Sequence, residues 1–136
     1  MLYQLHTGWV NGYNEGQKPL IYLISTAQAI FESNIKFVFS DGHGIARFTT
    51  WYDDLKNLDK VDWDTVYSRI WKDTVEDMDR QRRKQAEFFA YQFCPWTLIK
   101  EITVINTNTK SIVENILNDF PDSLHRPVTI KRNWYY

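Results

Sequence analysis

The chain has 136 residues, a formal net charge of −1 and a single cysteine, Cys94. That length suits one domain, residues 1–136, with a core large enough to need no metal or disulfide, and one cysteine excludes both an internal disulfide and a cysteine-based zinc site. Near-neutral charge gives no global pull on nucleic acid, so an anionic ligand has to be held by a local basic patch. The longest apolar run, Leu20–Ile24, is far too short to span a bilayer, and no signal peptide is visible. The expectation is a cytoplasmic protein with no membrane partner and no metal.

Residues 1–18 are poor in pattern, and "NGYNEGQ" reads as loop or turn. Pro19 then opens "LIYLIS", a continuous apolar run that suits a strand covered on both faces. In "STAQAIFES" Ser25 or Thr26 can cap a short helix. "KFVFS" predicts a second strand with Phe37 and Phe39 on one face, ended by "DGHG", whose glycines favour a turn. Ala46–Lys60 reads as loop with a helical turn. Asp62 is placed to cap a helix on which Trp63, Val66, Tyr67, Ile70 and Trp71 fall at i, i+3, i+4, i+7 and i+8. Residues 73–84 read as an exposed loop or a loosely held helix end.

Residues 86–93 predict a strand that Pro95 ends, with Glu87, Phe89, Tyr91 and Phe93 on one face. "EITVINT" is a further strand. Asn108 or Thr109 can cap a helix carrying Ile112, Val113, Ile116, Leu117 and Phe120, and "PVTIKRNWYY" closes the chain as a strand whose last aromatics anchor it. Strands mixed with short helices, and no regular βαβ rhythm, predict an α+β fold.

The charges are segregated. From Asp53 to Asp79 there are nine acidic and four basic residues, and the next five positions, Arg80–Lys84, carry four cations. Glu87 follows within three residues, on a face shared with aromatics. Buried alone, a carboxylate there costs several kcal/mol, so it needs a partner, and Arg82 and Arg83 are near enough in sequence to be one. Two readings stay open. Either Glu87 caps the strand edge in a surface pair of little energetic consequence, or the arginines line a phosphate track and Glu87 points into a cleft. In the second case the carboxylate can stabilise charge growing on a ribose anomeric carbon or take a proton from a nucleophile.

"FVFSDGHG", "TWYDDLKNLDKVDW", "DRQRRKQAEFF" and the terminal "RNWYY" together, in order over nearly the whole chain, resemble the DarT family of DNA ADP-ribosyltransferase toxins. The resemblance implies an ADP-ribosyltransferase-like core of mixed and antiparallel sheet with short flanking helices. It implies NAD⁺ as co-substrate, single-stranded DNA as acceptor at thymine or guanine, and a macrodomain antitoxin as partner. It makes Glu87 the catalytic glutamate, turns Arg80, Arg82 and Arg83 toward DNA phosphates and makes His43 a candidate contact to the target nucleotide; Arg47, three residues after Gly44, is placed to hold a DNA phosphate as well. Family members begin with a "YHIT"-like motif followed by an arginine, which help hold NAD⁺. Neither is found here, so the resemblance implies a C-terminal portion of the enzyme that binds NAD⁺ poorly by itself.

Beside these roles stand plainer ones. His43 reads equally as a turn histidine packed on Phe39 or Trp51, Arg47 as a solvated loop arginine, and Trp63 and Trp71 as core. Trp51 and Tyr52 suit a nucleobase. The rival to an enzyme is a module that binds single strands through Arg80–Lys84 without NAD⁺.

Overall fold

Two three-stranded sheets organise the chain, each within its own compact unit. The computed structural model describes residues 2–136. One unit combines the residues up to Ser25 with Pro95–Tyr136, and the other is Thr26–Cys94.

In the first unit, β5 (Glu101–Val104) lies between β1 (Ile21–Ile24) and β6 (Val128–Ile130). It pairs antiparallel with β1, Ile21 facing Val104, and parallel with β6, Ile102 facing Val128. Parallel neighbours need a crossover, and α5 (Thr107–Leu117) lies within it. The helix packs Val113 and Leu117 against Ile102, Val104 and Val128. Its cap is Asn106, whose side chain accepts the Thr109 N–H at 2.9 Å. The expected cap, Asn108 or Thr109, is therefore corrected by about half a turn: the Asn106 side chain reaches the free amide at N3, which is what a cap has to do. Residues 1–18, without pattern in the sequence, include α1 (Leu2–Thr7).

The last aromatics anchor this unit. The Tyr135 ring is buried and meets Tyr22 edge-on at 5.1 Å. Its hydroxyl lies 3.0 Å from the Leu20 carbonyl oxygen and 3.1 Å from that of Thr103, so one phenol proton, shared by the two, ties the C-terminus to the start of β1 and to β5.

In the second unit β2 (Phe37–Ser40) lies between β3 (Trp51–Tyr52) and β4 (Phe88–Ala90), all antiparallel. On one face Phe37, Phe39, Phe88 and Tyr52 stack, with centroids 5.2 Å apart for Phe37–Phe88 and 5.4 Å for Phe39–Tyr52. Beside Phe37 stands Phe31 of α2 (Ala27–Glu32), a helix capped by Thr26. The pairings Val38–Phe89 and Ser40–Trp51 put Val38, Phe89 and Trp51 on the other face, where they are 40%, 48% and 43% exposed. Trp51 and Phe89 touch there, centroids 5.7 Å apart.

Two expectations are corrected in this unit. Residues 51–52, read as loop, pair with β2 because they return antiparallel after the "DGHG" turn. The helix begun at Asp62 is α3 (Trp63–Tyr67) and ends at Ser68, well short of Trp71. The Lys84 ammonium donates to the carbonyls of Thr65, Val66 and Ser68, so these groups are satisfied without a further helical turn. Lys84 also sits 4.9 Å over the Trp71 ring. Burial first, then the charge of Arg80, hold this ammonium below its ordinary pKa.

Burial first, and then Tyr22, push the Tyr135 phenol from 10.0 up to about 12. The unfolded chain releases that proton at the ordinary value, so the linked stability is whole below about pH 10 and is lost as the pH rises towards 12. Urea midpoints near pH 8 and near pH 11 are expected to differ clearly. In Tyr135→Phe that difference shrinks, at a cost of about 1 kcal/mol at neutral pH.

Candidate active site

Glu87 stands immediately before β4, and the register that places Phe89 beside Trp51 gives its side chain the same half-exposed face. Its backbone is fixed on both sides by Ser40. The Ser40 N–H donates to the Glu87 carbonyl at 2.9 Å, and the Glu87 N–H donates to Ser40 Oγ at 3.1 Å. Ser40 is wholly buried and in turn donates to the Gly42 carbonyl at 2.6 Å. The hydroxyl thus couples the glutamate's backbone to the turn that follows β2.

The side chain is held by that same turn. Glu87 Oε2 accepts the Gly44 N–H at 3.0 Å. A Cβ on Gly44 would stand 2.7 Å from Oε2 and 2.9 Å from Trp51 Cζ2, so the missing side chain is what lets carboxylate, indole and backbone amide meet. The partner expected from the sequence, Arg82 or Arg83, is not the one found, because both guanidinium groups are held by aspartates.

Arg82 is clamped between two carboxylates. Its Nη1 donates to Asp41 Oδ1 at 2.8 Å, while Nε and Nη2 form a fork with the two oxygens of Asp79, each at 2.8 Å. The Asp79 hydrogen bond holds the guanidinium above its ordinary pKa despite burial. The Arg82 carbonyl accepts the His43 N–H at 2.8 Å. Residue 82, on the five-residue helix α4 (Arg80–Lys84), therefore secures the 41–50 loop by side chain and backbone together. Arg83 pairs with Asp62 and Asp77, and Arg80 Nη2 lies 3.1 Å from Asp77 Oδ2. Asp62 also accepts from the Thr65 amide and hydroxyl; the amide bond is the first cause that holds its carboxyl below the usual range. The basic run thus joins the acid-rich segment before it, and all four cations are engaged within the unit.

His43 lies in the loop beside Gly44. Its carbonyl accepts from the Ala46 N–H at 2.9 Å and the Thr49 hydroxyl at 2.7 Å, while its ring Nδ1 is buried without a hydrogen-bond partner. A buried lone pair costs less than a buried orphan N–H, which favours the tautomer with the proton on Nε2. Arg47 is exposed on the same loop, 6.0 Å from the Phe48 ring centroid. The structure gathers Glu87, His43 and Arg47 around one loop, and puts Arg80, Arg82 and Arg83 into the ion-pair network behind it. Ser40, Asp41, Gly44 and Trp51 complete the arrangement. The signal of the first three in the sequence is only the small-residue turn "SDGHG", while Trp51 stands out there as a ring that suits a nucleobase. Among the described residues no group of three or more His, Cys, Asp or Glu could hold a metal ion.

With this geometry the family can be assigned. Residues 1–136 match the family model described as ssDNA thymidine ADP-ribosyltransferase, DarT. The chain belongs to the DarT family. It is 38% identical over its whole length to a DNA ADP-ribosyl transferase of Thermus aquaticus, and spans 58% of that relative. Two structures of Thermus sp. 2.9 DarT superpose on it with a TM-score of 0.91 over 99% of the chain. The complex with NAD⁺ is 35% identical, and the chain covers 66% of it. The complex with ADP-ribosylated ssDNA is 34% identical, and the chain covers 63% of it. The α+β expectation and the transferase-like fold agree with these likenesses.

Gly42 is the tightest point of the clamp: a Cβ there would stand 2.8 Å from the Arg82 carbonyl oxygen. Gly42→Ala is expected to destabilise the chain by about 1–3 kcal/mol. Arg82→Lys should lose a comparable amount, since an ammonium cannot make the fork with Asp79 and also reach Asp41. Both losses are read from urea midpoints, with Arg69→Lys as a control that leaves the midpoint in place.

Proposed function

We propose that this chain serves the transfer of ADP-ribose from NAD⁺ to a base in single-stranded DNA, with Glu87 as the catalytic carboxylate. Thymidine, the nucleoside in the family description, is the favoured acceptor. The carrying observation is the Glu87 carboxylate itself: one oxygen is fixed by the Gly44 amide on a half-exposed aromatic face, and the other has no hydrogen bond among the described residues. The names of the relatives, and the ligands in the two Thermus sp. 2.9 complexes, support the reading.

The chemistry asked of Glu87 is specific. A base nitrogen attacks the anomeric carbon of the nicotinamide ribose. The bond to nicotinamide breaks, its electron pair leaves with nicotinamide, and the base proton passes to a carboxylate or to water. A fixed carboxylate stabilises the positive charge on the sugar and can accept that proton. The indole face of Trp51 beside it suits a flat ring. His43, with its Nε2–H, is assigned to the target base, and Arg47 to a phosphate. Arg80, Arg82 and Arg83 are assigned to holding the loop and not to DNA. The cellular setting belongs to the same proposal: a cytoplasmic toxin whose mark a macrodomain antitoxin removes.

The test joins to the chain the N-terminal NAD⁺-holding segment of a family relative, incubates the product with NAD⁺ and an oligothymidine and follows the strand by intact mass. A gain of one ADP-ribose is expected. In Glu87→Gln, which can still accept from the Gly44 amide, the rate should drop by about 10²–10⁴. Equal rates for the two proteins would remove Glu87 from the chemistry.

A further inference from the structure

We propose that the tip of the 41–50 loop is a base-stacking platform: Phe48, backed by Ile45 and Arg47, holds the nucleotide next to the reacting one. The inference rests on the reading of a single-stranded substrate above and adds to it the element that grips the flanking base.

The tip combines a fixed backbone with exposed apolar side chains. Its base is closed by the Asp41 N–H donating to the Thr50 carbonyl at 3.2 Å and the Thr50 N–H donating to Asp41 Oδ1 at 3.0 Å. Inside, the Ala46 N–H donates to His43 O at 2.9 Å, the Thr49 N–H to Ala46 O at 3.1 Å, and the Thr49 hydroxyl to His43 O at 2.7 Å. These bonds pin the loop at its base and across its interior, and Ile45 and Phe48 are left in solvent, 88% and 80% exposed. A phenyl ring kept in water on a pinned loop forgoes its burial energy for as long as the face is free. Anchored in this way, the ring is presented at little further ordering cost when a ligand arrives.

The chemistry around the ring selects the ligand. Residues 42–52 contain no Asp or Glu, although nine acids follow between Asp53 and Asp79. Arg47 is exposed, has no ion pair among the described residues and lies 6.0 Å from the Phe48 centroid. Arg80, Arg82, Arg83 and Lys84, by contrast, are all engaged. An aromatic face with one free guanidinium beside it and no opposing acid fits a base and its phosphate: the ring stacks, the cation pairs, and neither reads sequence. Position completes the case. Ile45 directly follows Gly44, whose amide holds Glu87, so a strand whose reacting base lies at Glu87 brings its next nucleotide within reach of the tip.

The experiment measures anisotropy of a labelled oligothymidine, and of an abasic strand of the same length, against the 136-residue chain and its variants. Phe48→Ala should bind oligothymidine about 5- to 150-fold more weakly, the range base–aromatic stacking spans, and should match the unchanged chain on the abasic strand. Phe48→Trp should bind at least as tightly, with its indole emission quenched. Arg47→Gln should lower the salt slope by about 0.7 on both strands. Equal affinities of Phe48→Ala and the unchanged chain for oligothymidine, or equal losses on both strands, overturn the platform while leaving the transfer reading intact. Absence of binding to oligothymidine by the unchanged chain overturns both.

Discussion

The bond on which the site depends is the clamp made by Arg82. Its guanidinium is shared by Asp41 and Asp79, and its carbonyl receives the His43 amide. These contacts fix the two sides of one turn, and the amide that turn presents is the one that holds Glu87. An isolated surface pair would contribute little. Here Arg82 and Asp41 are mostly buried, the fork to the half-exposed Asp79 fixes direction as well as distance, and the missing Cβ of Gly42 makes room for the arginine. Loss of the clamp frees the turn, and a free turn presents its amide nowhere in particular.

The acidic segment and the basic run are two halves of one network. Nine acids between Asp53 and Asp79 and four cations in Arg80–Lys84 look, in one dimension, like a charge asymmetry available to an anionic ligand. Folded, Asp62, Asp77 and Asp79 turn onto Arg80, Arg82 and Arg83, and Lys84 caps α3. The charge of the cations is thus met at short range within the fold, by carboxylates such as Asp79 at 2.8 Å from Arg82. Arg47 escapes this fate because the one acid of its loop, Asp41, is already taken by Arg82 and the Thr50 amide.

The sequence made legible what local pattern decides. Strands β1, β2, β5 and β6, the cap at Thr26 and the cap at Asp62 stand where apolar runs and short polar side chains put them. Glu87 stood out because alternation set a carboxylate among aromatics. What was hidden depended on contacts distant along the chain. The two residues of β3 are strand only because β2 is there to pair with them, and α3 stops where it does because an ammonium seventeen residues beyond Tyr67 takes its last carbonyls. The partner of Glu87 was hidden for the same reason. Nearness in sequence favoured Arg82 and Arg83, whereas a backbone amide 43 residues earlier is the donor, a role no side-chain identity announces.

That choice of partner has a chemical consequence. A guanidinium forked onto Glu87 would have neutralised the carboxylate and occupied both oxygens, leaving no field for a cationic sugar and no lone pair for a proton. A single amide orients the group and leaves its charge to be met from outside. The aspartates that draw Arg80, Arg82 and Arg83 away therefore do two things at once. They brace the loop that carries Gly44 and Phe48, and they keep the nearest cations in the sequence off the one carboxylate on the aromatic face. The same ion pairs hold the loop and keep these guanidinium groups from Glu87, so a substitution of Asp79 cannot be read as a change of stability alone: it leaves Arg82 on Asp41 only, with Glu87 within its own short segment of chain.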